Sequence, residues 1–144
     1  MRQAILAFLL AAVSALDLTP AVAGEEKPGL FVVVTSPEAQ TQGMAMVLSL
    51  QAVEQGARVQ MLLCGPGGDL ALKDAPQTVL KPRGVTPQGM LTRLIAMGVE
   101  PQVCAIYLPN RGKSPTDLIE GVGVAKPPAI AAALLADRTR LFTF

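Results

Sequence analysis

The sequence predicts a three-layer α/β/α domain built on a mostly parallel sheet of about five strands. Three observations lead there. Short apolar runs recur from Leu30 onward. Stretches of helical character separate them, opened by proline and closed by glycine. The first run, Leu30 to Val34 (LFVVV), is apolar without alternation, as expected of a strand covered on both faces.

The elements follow in chain order. After LFVVV, Ser36-Pro37-Glu38 offers an N-cap candidate, a first-turn proline and an acid near the positive end of a helix dipole, and Gly56 closes that helix. Met44, Ala45, Val47, Leu48 and Ala52 form its expected packing face. Arg58 to Leu63 (RVQMLL) is the second strand, ending at Cys64 and a turn, Gly65-Pro66-Gly67-Gly68. Residues 69–85 read as a possible helical turn near Leu70 to Leu72 followed by a loop, and loops of this length often border a site. Thr86 caps and Pro87 starts a further helix, with Met90, Leu91, Leu94 and Ile95 at helical spacing before Gly98. Val103 to Leu108 (VCAIYL) is expected as the third strand. Ser114 and Asp117 stand at capping-box spacing at the head of a short helix. Val122 to Val124 is a candidate fourth strand, Pro127-Pro128 opens an Ala-rich last helix, and Arg140 to Phe144 supplies a fifth strand.

The first 23 residues read differently from the rest. Arg2 gives a positive start, Ala4 to Leu16 is an apolar run interrupted only by Ser14, and Ala21-Val22-Ala23 before Gly24 is an A-x-A cleavage pattern. Residues 1–23 are therefore expected to be a secretory signal peptide, and residues 24–144 a single domain that is periplasmic or secreted and free of the membrane after cleavage. Asp17 and Pro20 cut the apolar run short of the roughly 20 residues that span a bilayer.

Composition narrows the chemistry. The net charge of +1, with 12 Lys and Arg scattered singly, forms no phosphate-tracking stripe and argues against nucleic acid. The chain has no histidine, which removes Ser-His-Asp and Cys-His catalysis and most zinc or copper sites, so no metal and no bound cofactor are expected. Gly65-Pro66-Gly67-Gly68-Asp69-Leu70 fails the dinucleotide pattern, because Leu70 stands at the third glycine and Pro66 lacks an amide donor. Gly112-Lys113-Ser114 resembles the end of a P-loop, but Tyr107 occupies the place of its first glycine.

Chemistry then concentrates on Cys104 and Cys64, the two cysteines. Cys104 precedes a loop carrying Arg111, Lys113 and Ser114 at a helix start, groups that favour a thiolate or another anion. A strand cysteine also packs well as a small apolar side chain. Cys64, at the end of the second strand, is a candidate second thiol. In a doubly wound sheet the first strand normally lies between the second and third, which would hold the two strand ends about 10 Å apart. That exceeds the ~7 Å reach of a disulfide unless the loops bend inward.

The order of these features resembles the DsrE/DsrF-like sulfur-relay family: LFVVV, a long helix ending in glycine, Ala57-Arg58-Val59 with an apolar strand and glycine turn, then Gly98-Val99 before Val103-Cys104. Gly112 follows eight residues after the cysteine, preceded by Arg111, and Ala136-Asp137-Arg138 and Thr143-Phe144 close the chain. The likeness runs from about Leu30 to Phe144. It implies a flavodoxin-like, DsrE-like α/β/α fold, assembly with copies of itself or related subunits, and a cysteine at the position of Cys104 that accepts sulfane sulfur as a persulfide and passes it to a partner protein. The chain departs from the pattern in its leader and in Ile106-Tyr107-Leu108-Pro109, bulkier than the small residues usual after that cysteine.

The leading expectation is thus a periplasmic sulfur carrier, sulfurtransferase-like if active, using Cys104 with Arg111, Lys113 and Ser114 as anion stabilisers. The alternative is a non-catalytic module for a small anion or a protein segment, with Cys104 as a packing residue. A thiol-disulfide redox protein using both cysteines ranks last, because no Cys-x-x-Cys is present.

Overall fold

The structure is a computed structural model that describes residues 27–144. The expected signal peptide lies outside the described residues. Five strands form one all-parallel sheet: β1 (Gly29–Val34), β2 (Arg58–Leu63), β3 (Pro101–Val103), β4 (Gly123–Val124) and β5 (Thr139–Thr143). The connecting helices are α1 (Ala39–Glu54), α2 (Pro87–Ala96), α3 (Tyr107–Asn110) and α4 (Pro127–Leu134). The strand order is β4-β3-β2-β1-β5. This corrects the expectation that β1 separates β2 from β3: here β2 lies between them.

Period-two alternation divides β1 between two cores. Leu30, Val32 and Val34 join Val59, Met61, Leu63 and Val103 beneath α1 and α2, where Met46, Leu91 and Leu94 are fully enclosed. Phe31 and Val33 face the other way, with Leu62, Ala125, Ile130 and Ala133. That second outer layer is thin, since α4 buries none of its residues and β5 is an edge strand with Leu141 and Phe142 exposed.

Local signals explain most helix boundaries. Thr86 Oγ1 accepts the Gly89 N–H at 3.0 Å and Pro87 occupies the first turn of α2, as expected. Gly56 and Gly98 take φ of +84° and +88° just past α1 and α2, a left-handed conformation that glycine adopts without a Cβ penalty. The start of α1 differs from expectation. Its cap is Glu38, whose carboxylate accepts the Gln40 and Thr41 N–H groups at 2.9 and 2.7 Å, while Ser36 Oγ accepts the Glu38 N–H. Pro37 therefore lies outside the helix.

The chain after β2 also differs. Gly65–Ala71 forms a 3₁₀ segment rather than a tight turn, and Gln88 of α2 fastens it through bonds to the Leu70 and Leu72 carbonyls. A Cβ at Gly67 would lie 2.7 Å from the Val34 carbonyl carbon, so glycine lets this segment lie directly on the end of β1. The third strand is shorter than VCAIYL: it ends at Val103, and the chain turns into α3. Tyr107 and Leu108 are buried whereas Ile106 is 72% exposed. A short apolar run is compatible with either a buried strand or a buried helical turn, and tertiary packing selects the turn here.

Candidate functional site

The carboxyl ends of β2 and β3 bring the two cysteines together. The β2–β3 register pairs Leu63 with Val103, so one step further Cys64 faces Cys104. Backbone bonds hold both beyond the named strands: Cys64 N–H donates to Val34 and Cys104 N–H to Leu63, each at 2.9 Å. The α-carbons are 5.2 Å apart and the side chains form a disulfide. The separation of about 10 Å expected for these ends is thus overturned, because it rested on β1 intervening. No inward bending of loops is needed.

Both cysteines are half-buried and pack against the cluster of Phe31, Leu62 and Ala125 on the α4 side of the sheet, and Cys104 also reaches the core beneath α1 and α2. The segments that follow them are joined as well. Tyr107 Oη donates to Asp69 Oδ1 at 2.5 Å, and Arg111 pairs with Asp69 Oδ2. Asp69 lies on the segment after Cys64, and Tyr107 and Arg111 lie on the segment after Cys104. Burial pushes the Tyr107 phenol above its usual range, and the Asp69 carboxylate adds to this. The Tyr107 ring packs closely against Gly68, where a Cβ would come within 2.6 Å of Cδ2.

The other sequence-predicted residues are engaged in local partnerships. Lys113 Nζ donates to Asp74 Oδ2 at 2.7 Å, which lowers the Asp74 pKa and raises that of Lys113. Ser114 and Asp117 form the expected capping box, with the Ser114 N–H and Oγ donating to Asp117 Oδ2 at 2.7 and 2.8 Å, and the backbone bond holds the Asp117 carboxyl low. Only a single 3₁₀ turn, Pro115–Asp117, follows the cap. The amide at this turn's start is occupied by the chain's own carboxylate, and Arg111 and Lys113 each meet a carboxylate, so the loop carries compensated charge.

Sequence reasoning missed Asp69, Asp74 and the part played by Tyr107. Their partners lie 38 to 42 residues away in the chain, and no local motif marks them. The stretch 69–85, expected to border a site, divides: Asp69 and Asp74 meet Tyr107, Arg111 and Lys113, whereas its later part turns away from the cysteines. Residues 78–85 form one wall of a groove of about 1080 Å³, lined also by the cap Glu38 and by Met44 and Val47 of α1, and neither cysteine lines it. Among the described residues, no group of three or more His, Cys, Asp or Glu converges as a metal site.

No protein-family model matches the chain, and no curated protein sequence does. Solved structures do match. The crystal structure of the ychN protein from E. coli superposes with a TM-score of 0.67 at 22% identity, covering 82% of this chain and 99% of that one. A protein of unknown function, MTH1491 from Methanobacterium thermoautotrophicum, matches with a TM-score of 0.60 at 14% identity, covering 83% of this chain and 100% of that one. At these identities the likeness is one of architecture: the chain has a five-stranded, all-parallel α/β fold of the DsrE-like type.

Proposed function

We propose that the protein is an exported sulfur carrier that takes sulfane sulfur as a persulfide on Cys104 and hands it to a partner protein. The observation that carries this reading is the placement of Cys104, half-buried at the carboxyl end of β3 and bridged to a second cysteine, on a DsrE-like scaffold. Ligand sites in open parallel sheets gather at this end. In the reduced protein the Cys104 thiolate attacks the outer sulfur of a persulfide donor, a new S–S bond forms, and the donor leaves as a thiolate. Arg111 and Lys113 assist the anionic product only if they exchange Asp69 and Asp74 for it. Assembly with further copies or related subunits is part of the proposal, supported by the exposed Leu135, Leu141 and Phe142 beside the β5 edge.

The test is intact mass after incubating the reduced mature protein with a low-molecular-weight persulfide. A single added sulfur that is lost in Cys104→Ser supports the carrier. No adduct, or one unaffected by that substitution, rejects it. The groove beside α1 favours a second reading, a non-catalytic binding module. Native alkylation of the reduced protein separates the two: rapid, pH-dependent labelling of Cys104 fits the carrier, and inert thiols fit the module.

A further inference from the structure

The structure places an oxidised group where the carrier reading needs a reduced one. We propose that the Cys64–Cys104 disulfide is itself a sulfur-accepting group whose substrate is the hydrosulfide anion; the inference rests on the carrier reading for its persulfide product.

Geometry supports this. The disulfide sits at the open carboxyl edge of the sheet, and both cysteines are half-buried rather than enclosed. One side of the pair packs against Phe31, Leu62 and Ala125, which favours a very small nucleophile over a bulky thiol. The backbone around the pair is held independently of the sulfur bridge. Ladder bonds fix Cys64 to Val34 and Cys104 to Leu63, and Asp69 joins the two following segments through Tyr107 and Arg111. Opening the bridge therefore leaves both sulfurs beside each other.

The step balances without an added oxidant. Hydrosulfide attacks Cys104 Sγ, a new S–S bond forms there, the Sγ–Sγ bond breaks, and Cys64 leaves as a thiolate. The disulfide is the two-electron oxidant: the Cys64 sulfur is reduced to a thiolate while the incoming sulfide rises to the sulfane level. The proton of hydrosulfide stays on the outer sulfur or passes to Cys64, and the net charge is unchanged. In reverse, the retained Cys64 thiolate attacks Cys104 Sγ, re-forms the disulfide and expels hydrosulfide. A partner thiolate attacking the outer sulfur first would carry it away and leave the dithiol. Uptake from hydrosulfide thus needs the oxidised protein, whereas uptake from a persulfide needs the reduced one.

The experiment treats the oxidised wild-type protein with one equivalent of sodium sulfide and, in parallel, the reduced protein with a low-molecular-weight persulfide, reading both by intact mass after trapping thiols with an alkylating agent. The expected result for the oxidised arm is a mass gain of one hydrogen sulfide molecule plus two alkyl groups, with peptide mapping placing the alkylated persulfide at Cys104 and the alkylated thiol at Cys64, and no added sulfur in Cys64→Ser treated the same way. An unchanged disulfide, or a dithiol with the sulfur lost to solution, overturns the inference. If the reduced arm still loads Cys104, the carrier reading survives that failure. If the oxidised arm loads and the reduced arm does not, the inference stands and transfer from a persulfide donor is rejected.

Discussion

Reducing the Cys64–Cys104 bridge should weaken the folded protein by an amount that follows from its place in the chain. The bridge joins positions 40 residues apart, and closing a loop of that length removes about 13 cal/mol/K from the unfolded chain, or about 4 kcal/mol at 25 °C. The folded state should change little on reduction, because its backbone bonds at Cys64 and Cys104 do not depend on the sulfurs. With a urea slope of about 1.5 kcal/mol per M, the midpoint should fall by about 2.5 M when a phosphine reductant is present. The same free energy must reappear in thiol chemistry, since the cycle linking folding and oxidation closes. The effective concentration of the two thiols should be about a thousandfold higher in the folded than in the unfolded protein. The assay is urea unfolding followed by circular dichroism with and without reductant, with thiol titration verifying the redox state. Superimposable curves for the verified disulfide and dithiol forms would refute the reasoning.

Other perturbations should act through other features. Leu91→Ala removes a fully buried side chain beneath the sheet and should cost about 2–5 kcal/mol in chemical denaturation, whereas Ile106→Ala, at 72% exposure, should stay within about 0.5 kcal/mol. Gly67→Ala forces a methyl against the Val34 carbonyl and should cost about 1–3 kcal/mol by the same measurement. The Glu38, Asp74 and Asp117 carboxyls are held below their usual values of 4.5, 3.8 and 3.8, Glu38 by the Gln40 and Thr41 amides, Asp74 by Lys113 and Asp117 by the Ser114 amide. The unfolded chain thus binds protons first, so their stabilisation is complete above those values and is lost as pH falls through the lower folded ones. Urea midpoints between about pH 6 and pH 2 should decline accordingly, and less steeply in Glu38→Gln. Tyr107→Phe deletes the bond to Asp69 and should lower the effective concentration of the paired thiols by about fivefold, equivalent to about 1 kcal/mol, read as the disulfide fraction in a glutathione redox buffer.

Many local features of the chain were legible in its residues, but the packing face of α1 was not: of the expected face only Ala45 is buried, Met44, Val47 and Leu48 are exposed, and Met46, Ser49 and Leu50 turn inward. LFVVV reads as a strand covered on both faces because β1 sits inside the sheet, and Thr86-Pro87 and Gly98 mark the ends of α2 through backbone needs that act within a few residues. Competing local signals misplaced two boundaries. Glu38 prevails over Ser36 as the cap because its two carboxylate oxygens satisfy two amides. VCAIYL divides because burial of Tyr107 and Leu108 depends on where the chain turns after Cys104. Strand order was not legible, since every strand of a parallel sheet carries a similar apolar run and nothing in RVQMLL says that its neighbours are β1 and β3. The same limit hid the candidate site. Cys104 and Cys64 were visible as thiols, but their adjacency follows from strand order. The carboxylates of Asp69 and Asp74, which neutralise Arg111 and Lys113, are likewise distant in the chain.

The central claim is that Cys104 holds sulfane sulfur. Its most direct measurement is peptide mapping of the reduced protein after exposure to a low-molecular-weight persulfide and alkylation. The account predicts a persulfide on the peptide containing Cys104, transferable to an added thiol. A persulfide confined to the Cys64 peptide, or none on either, would contradict it.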